Sequence, residues 1–237
     1  MEGSHKSAWA CGAGDPKLGA IASLVAARFG KHRQILVVGC GDGTEAAVLG
    51  DLLDADITGV DLVDRFHPDA RNQVELVAAD ARELPFPDSS FDVVFSFHAL
   101  EHISQPNVAV VEMRRVLRAT GGIWIGTPNR SRLVGYLGSR DASAREKLVW
   151  NAKEVWTRLR GEFRNELGAH AGFTSRELRG ILESQFRVVE NETSVYYARL
   201  YPRYRRLLAA LGRLRVDRFV YPSVYFAGSE PRETSTR

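Results

Sequence analysis

The sequence predicts an α/β protein built on a mostly parallel sheet with helices on both faces. Through residue 127, short apolar runs rich in β-branched and aromatic residues alternate with segments whose apolar residues recur every three or four positions. The first such run, Ile35-Leu36-Val37-Val38, breaks into Gly39-Cys40-Gly41-Asp42-Gly43, and a helical pattern follows at once. That is a strand, a tight turn and a helix N-terminus, an arrangement that lets backbone press against a ligand. After residue 127 a long helix-containing return precedes a last aromatic run, which suits an antiparallel strand at a sheet edge.

The elements follow in chain order. Residues 1–15 are rich in Gly, Ala and Ser, with Trp9 among them, and show no periodicity. Leu18, Ile21, Leu24, Val25 and Phe29 fall at helical spacing, which predicts an amphipathic helix over 17–29. Strands are expected at Ile35–Val38, Ile57–Val60, Val74–Ala78 and Phe91–Phe95, with a helix carrying Ala46, Ala47, Leu49, Leu52 and Leu53 after the first. Leu84-Pro85-Phe86-Pro87-Asp88-Ser89-Ser90 is a turn-rich loop. Ser104-Gln105-Pro106 opens a helix that Gly121-Gly122 ends, and Ile123–Thr127 is the fifth strand. Capping boxes at Ser143–Glu146 and Thr174–Glu177 start two more helices. The stripe Trp156, Leu159, Phe163 reads as core. Strand six is Phe186–Val189, with an extension toward Tyr196. A helix over 203–215 turns Tyr204, Leu207, Leu208, Leu211 and Leu214 inward, and Phe219–Phe226 is the last strand.

Composition sets outer bounds. The chain has 237 residues, 44% of them hydrophobic, enough for one large domain with a modest insertion. No run approaches the roughly 18 apolar residues of a membrane span, and the N-terminal residues have no signal-like apolar stretch. The two cysteines, Cys11 and Cys40, sit in the leader and the glycine turn, which excludes a disulfide framework and a cysteine metal site. A cytoplasmic location is expected. The net charge of +3 conceals a split, with residues 1–127 carrying −6 and residues 128–237 carrying +9, nearly all of the latter excess arginine. An anionic acceptor or a peripheral contact with a phospholipid surface would fit the basic half, as would a solvated arginine surface. No nucleic-acid-binding module is recognisable.

The glycine turn narrows the ligand. A nucleotide phosphate loop needs Lys-Ser/Thr after the last glycine, whereas Thr44-Glu45 follows here. A dinucleotide site is the serious rival, but Thr44 stands where its third glycine belongs. Asp61 ends the second strand about 20 residues after the turn, the placement that grips ribose hydroxyls. Asp80 follows the third strand, where it could accept from an adenine amino group. Two carboxylates at neighbouring strand ends fit an adenosine that carries no phosphate.

At these residues the chain resembles the class I S-adenosylmethionine-dependent methyltransferases, in particular a small-molecule branch that includes ubiquinone-biosynthesis-like enzymes. The resemblance rests on Val37–Gly43, Gly59-Val60-Asp61, Ala79–Asp92, His98-Ala99-Leu100-Glu101-His102-Ile103, Gly126–Arg130 and Phe173–Leu178, and it covers roughly two-thirds of the chain. It implies a Rossmann-like seven-stranded sheet whose last strand is antiparallel, and S-adenosyl-L-methionine as cofactor. It implies that Gly39, Cys40 and Gly41 lie against the methionine moiety, Asp61 binds the ribose with Leu62 beside the adenine, and Asp80 and Ala81 hold the adenine edge. Ser96, Phe97 and His98 would flank the reactive methyl. A hydroxyl acceptor benefits from a base, and His98 and His102, four residues apart with Glu101 between them, are the candidates. His170, in a loop expected to close over the acceptor, is the candidate substrate contact. No compact metal motif is present.

The expected organisation is a leader and N-terminal helix acting as a lid (1–30), a cofactor-binding core (31–127), a helical insertion over the acceptor site (128–172), the rest of the core with the amphipathic helix at 203–215 (173–228), and a tail (229–237). The expected function is methyl transfer to a small-molecule, sugar or lipid-linked acceptor by a monomer or homodimer, with oxygen favoured as the acceptor atom. The alternatives are an NAD-dependent oxidoreductase and a catalytically silent, methyltransferase-like binding module.

Overall fold

The computed structural model describes residues 15–30, 33–135, 143–165, 171–214 and 216–231. Helix α1 (Pro16–Phe29) is capped by Asp15, whose side chain accepts from the Lys17 N–H. Then come β1 (Gln34–Val38), α2 (Thr44–Leu53), β2 (Asp56–Asp61), the single turn α3 (Pro68–Arg71), β3 (Glu75–Ala78) and β4 (Phe91–Phe97). A 3₁₀ turn at Leu100–His102 leads to α4 (Pro106–Arg115) and β5 (Leu117–Pro128). The rest is α5 (Ala144–Leu159), α6 (Ser175–Glu183), β6 (Phe186–Asn191), α7 (Thr193–Leu200), α8 (Arg205–Arg213), α9 (Asp217–Val220) and β7 (Ser223–Pro231).

The seven strands form one sheet in the order β3-β2-β1-β4-β5-β7-β6. Pairing is parallel from β3 through β5, while β7 runs antiparallel to both of its neighbours. The near-continuous apolar strands are explained by two buried faces. On one, Ile35, Val37, Val93, Phe95 and Trp124 pack under α1 and α2, with Tyr196 and Tyr197 of α7. On the other, Leu36, Val38, Val94, Ile123 and Ile125 meet Val110 and Met113 of α4 and Leu178 and Leu182 of α6. Both capping boxes form as expected, at Ser143 and Thr174.

Several expectations are corrected. The antiparallel strand is not at the edge: β7 inserts between β5 and β6, and β6 is the edge. Gly121-Gly122 does not end a helix but lies within β5, where a Cβ on Gly122 would sit 2.3 Å from the Phe29 ring. The extension toward Tyr196 is helix α7, because the Asn191 side chain accepts from the Thr193 N–H and Thr193 Oγ1 accepts from the Tyr225 N–H, while Tyr196 and Tyr197 pack on the aromatic rings of Tyr225 and Tyr221. Phe219 and Val220 belong to α9; Leu133 donates to the Phe219 carbonyl and Asn129 donates to those of Arg218 and Tyr221, so strand geometry begins only at Ser223. That strand runs to Pro231, so residues 229–231 are sheet rather than tail.

The two helices expected to bury apolar stripes do not. On α5, Val149, Trp156 and Leu159 are exposed, and the buried residue is Glu154. Its carboxylate takes Arg132 Nη2 at 2.8 Å and Arg158 Nη2 at 2.8 Å, and both guanidiniums lie over the Phe163 ring. Ion pairing, rather than apolar contact, therefore seats this helix. On α8, no residue is buried, and Leu207 and Leu214 face outward.

Candidate active site

The strand order reverses between β1, which leads outward through β2 to β3, and β4, which leads the other way through β5. Ligand crevices of open α/β sheets form at such a point, beyond the C-terminal ends of the strands. A cleft of about 480 Å³ lies there, lined among others by Gly39, Gly41, Asp61, Leu62, Asp80 and Ala81, with His98 and His102 at the same wall. Most of the site residues expected from the sequence thus converge on one space.

The glycine turn shapes its floor. Gly39 and Gly41 both have positive φ, at 77° and 59°. A Cβ on Gly39 would lie 2.1 Å from Ala99 Cβ, so this glycine lets the loop after β4 approach. A Cβ on Gly41 would meet no atom of the described residues within 4 Å. Asp61 is aimed by the same turn: its Oδ2 accepts from the Gly41 N–H at 2.9 Å and its Oδ1 from the Val63 N–H at 3.3 Å. A carboxylate offers about four acceptor sites, so capacity remains on each oxygen.

Asp80 is more engaged than expected. Arg82 donates from its backbone and its side chain, with Nε 3.0 Å from each Asp80 oxygen, and also reaches Ser104 Oγ at 2.8 Å. The Arg82 hydrogen bonds hold the Asp80 carboxyl below the usual carboxylate range. Arg82, which sequence reasoning passed over, therefore belongs to the cleft wall and clamps the carboxylate expected to meet the adenine edge.

Three expected site residues turn away from the cleft. The Cys40 side chain enters the core against Gly59, and burial pushes its thiol up to about 12, which leaves it protonated and unreactive. Ser96 is fully buried, with an Oγ that has no hydrogen-bond partner among the described residues. Phe97 stacks on Tyr225 with ring centroids 6.2 Å apart. His170 lies outside the described residues.

The histidines flank a buried acid. His98, at φ 51°, is held by its N–H donation to Gly126 O, and its Nε2 lies 3.2 Å from Ser223 Oγ. The Glu101 side chain is 1% exposed, with Oε1 3.7 Å from His98 Nδ1 and 4.0 Å from His102 Nε2. Oε2 has no hydrogen-bond partner among the described residues. These separations couple charge without making a hydrogen bond, and such contacts commonly tighten once a ligand is bound. Burial raises the Glu101 carboxyl to about 7, with a hydrogen bond from its own backbone N–H and then the Arg132 charge pulling the other way. Glu101 was legible as a tuning residue from its place between the histidines. Ser223 had no sequence signal, since it reaches His98 only through the insertion of β7.

Residues 36–125 match the family model described as a methyltransferase domain, less than half of the chain. A probable S-adenosylmethionine-dependent methyltransferase of Mycobacterium tuberculosis is 38% identical over 104 residues, covering 41% of this chain and 36% of that protein. The 27-O-demethylrifamycin SV methyltransferase of Amycolatopsis mediterranei is 30% identical over 115 residues, covering 45% of this chain and 42% of that one. The matches thus span about two-fifths of each relative's length. Among solved structures, phosphoethanolamine N-methyltransferase 2 of Haemonchus contortus in complex with S-adenosyl-L-methionine superposes with a TM-score of 0.54 at 17% identity, covering 90% of this chain and 52% of that one. That likeness concerns the fold alone.

Proposed function

We propose that this protein, whose residues 36–125 match a methyltransferase-domain model, is a class I S-adenosylmethionine-dependent methyltransferase that moves a methyl group to an oxygen atom of a small-molecule, sugar or lipid-linked acceptor. The observation that carries the reading is that one cleft holds both halves of the required chemistry. Asp61, aimed by Gly41, lines it, and so do His98 and His102, which flank the buried Glu101. Support for oxygen as the acceptor atom comes from this cluster and from the rifamycin relative, whose name specifies an O-linked methyl. The residues suit the cofactor: the space over Gly41 admits it, and Asp61 keeps acceptor capacity for ribose hydroxyls.

When bound, S-adenosylmethionine supplies an electrophilic methyl on a sulfonium. The protein's own work is then alignment and the handling of one proton. Asp61 fixes the ribose, and Ala81 with the Arg82-clamped Asp80 bounds the adenine end. His102, half exposed at the cleft, takes the acceptor's hydroxyl proton at Nδ1, the ring nitrogen away from Glu101. His98, engaged by Ser223 and facing Glu101, positions the acid.

Glu101 makes this machinery sensitive to pH. Below about 7 it is protonated and can hand a hydrogen bond to an imidazole nitrogen; above about 7 it is a carboxylate that accepts from the imidazole and favours proton uptake at the far nitrogen. Methyl transfer to a panel of hydroxylated acceptors, followed with labelled cofactor, is expected to rise with pH through about 7. Glu101→Gln should flatten that rise. His102→Gln should lower kcat by about 10²-fold or more while S-adenosylhomocysteine affinity stays within about twofold. An unaltered profile in the first variant, or full turnover in the second, contradicts the assignment. Stability carries the same signature. Between 4.5 and about 7 the folded protein retains a proton that the unfolded chain releases, so stability falls as pH rises through that window, and Glu101→Gln removes this fall.

A further inference from the structure

Helix α8 is an element that the methyl-transfer chemistry does not use. From Thr193 to Val216 the chain contains no Asp or Glu and six arginines: Arg199, Arg203, Arg205, Arg206, Arg213 and Arg215. Within α8 the leucines at 207, 208 and 211 share a face that Leu214 continues, while Arg205, Arg206 and Arg213 project elsewhere on the helix. An amphipathic helix in a globular protein ordinarily buries its apolar side. Here none of its residues is buried. Leu208 rests against the core beside α7, but Leu207 is 57% exposed and Leu214 71% exposed, with Tyr204 beside them at 54%.

We propose that α8 and its flanks form a docking surface for an anionic phospholipid membrane. An apolar face rimmed by arginines, on a stretch from Thr193 to Val216 that holds no acid, is complementary to acyl chains beneath phosphate headgroups, with guanidiniums reaching up to the phosphates. A second copy of this chain fits poorly, because a two-fold contact through this face would bring like charges together. The leader, residues 1–14, carries only Glu2 against Lys6 and offers no charge to meet the arginines. The docking surface also connects to the cleft side of the sheet. Helix α9 follows α8 and receives hydrogen bonds from Asn129 and Leu133, beyond the C-terminal end of β5, and Leu133 and Val134 are exposed there as well. Docking through α8 would therefore set the loop after β5 against the bilayer.

The test is co-sedimentation of the full chain with phosphatidylcholine vesicles and with the same vesicles containing phosphatidylglycerol, at low and high salt. Binding is expected only to the anionic vesicles and to weaken with salt. Arg205→Gln/Arg206→Gln should weaken it by about 30-fold, at roughly fivefold for each arginine removed. The control Arg176→Gln/Arg187→Gln, which removes the same charge from exposed sites elsewhere, should change it by less than about twofold. S-adenosylhomocysteine affinity of every variant reports folding and is independent of docking. Equal binding to both vesicles, no binding to either, equal loss in the control variant, or a preference for single-stranded RNA over anionic vesicles would each overturn the proposal.

Discussion

Glu154→Ala is expected to destabilise the protein by about 3–5 kcal/mol, the cost of stranding a buried charge. Arg132 is 5% exposed and Glu154 6% exposed, and their contact at 2.8 Å is supported by a second Arg132 bond at 3.3 Å. Removing the carboxylate leaves the Arg132 guanidinium in a buried site, with one weak bond to the Asn129 carbonyl and the Phe163 ring below it among the described residues. It also releases Arg158, whose other bond is to the Arg130 carbonyl. Glu154→Gln keeps acceptor and shape and should cost less. Urea unfolding at pH 7 measures both. A loss below about 1 kcal/mol for the alanine variant would mean that α5 is seated by something other than this pair.

Asp61→Ala is expected to weaken S-adenosylhomocysteine binding by at least about 100-fold, since two hydrogen bonds from ribose hydroxyls to a carboxylate contribute about 1.5–3 kcal/mol each. The substitution also frees the Gly41 N–H, so the turn loses its brace together with the ribose anchor. The side chain lies at a strand end, only half-buried, and the unfolding midpoint should move little. Calorimetric titration of native and variant protein reads the difference. Affinity within about threefold of native would mean that the ribose lies elsewhere.

What was legible in the sequence follows from how local the cause is. The strand–turn–helix at Gln34–Leu53 and the strand ends at Asp61 and Asp80 were readable because each element's signal lies within its own few residues, and a parallel sheet then places those ends side by side. Both capping boxes were readable for the same reason. The failures are cases where a distant partner decides. Apolar spacing on α5 suggested a buried stripe, but Arg132, from the loop after β5, selects the Glu154 side of the helix instead. β-Branched and aromatic residues at 193–197 suggested strand, but contacts with Tyr221 and Tyr225 make them a helix. That Asp61 lines the cleft could be read from spacing, whereas the Arg82 clamp on Asp80 and the Ser223 contact to His98 needed the folded chain.

The central claim is that the cleft above Gly39 and Gly41 takes a phosphate-free adenosyl cofactor carrying methionine. Side-by-side calorimetry of the full chain with S-adenosylhomocysteine and with NAD tests it most directly. The prediction is one saturable site for S-adenosylhomocysteine, and no binding of NAD at the same concentrations. Saturable NAD binding with none for S-adenosylhomocysteine would contradict it.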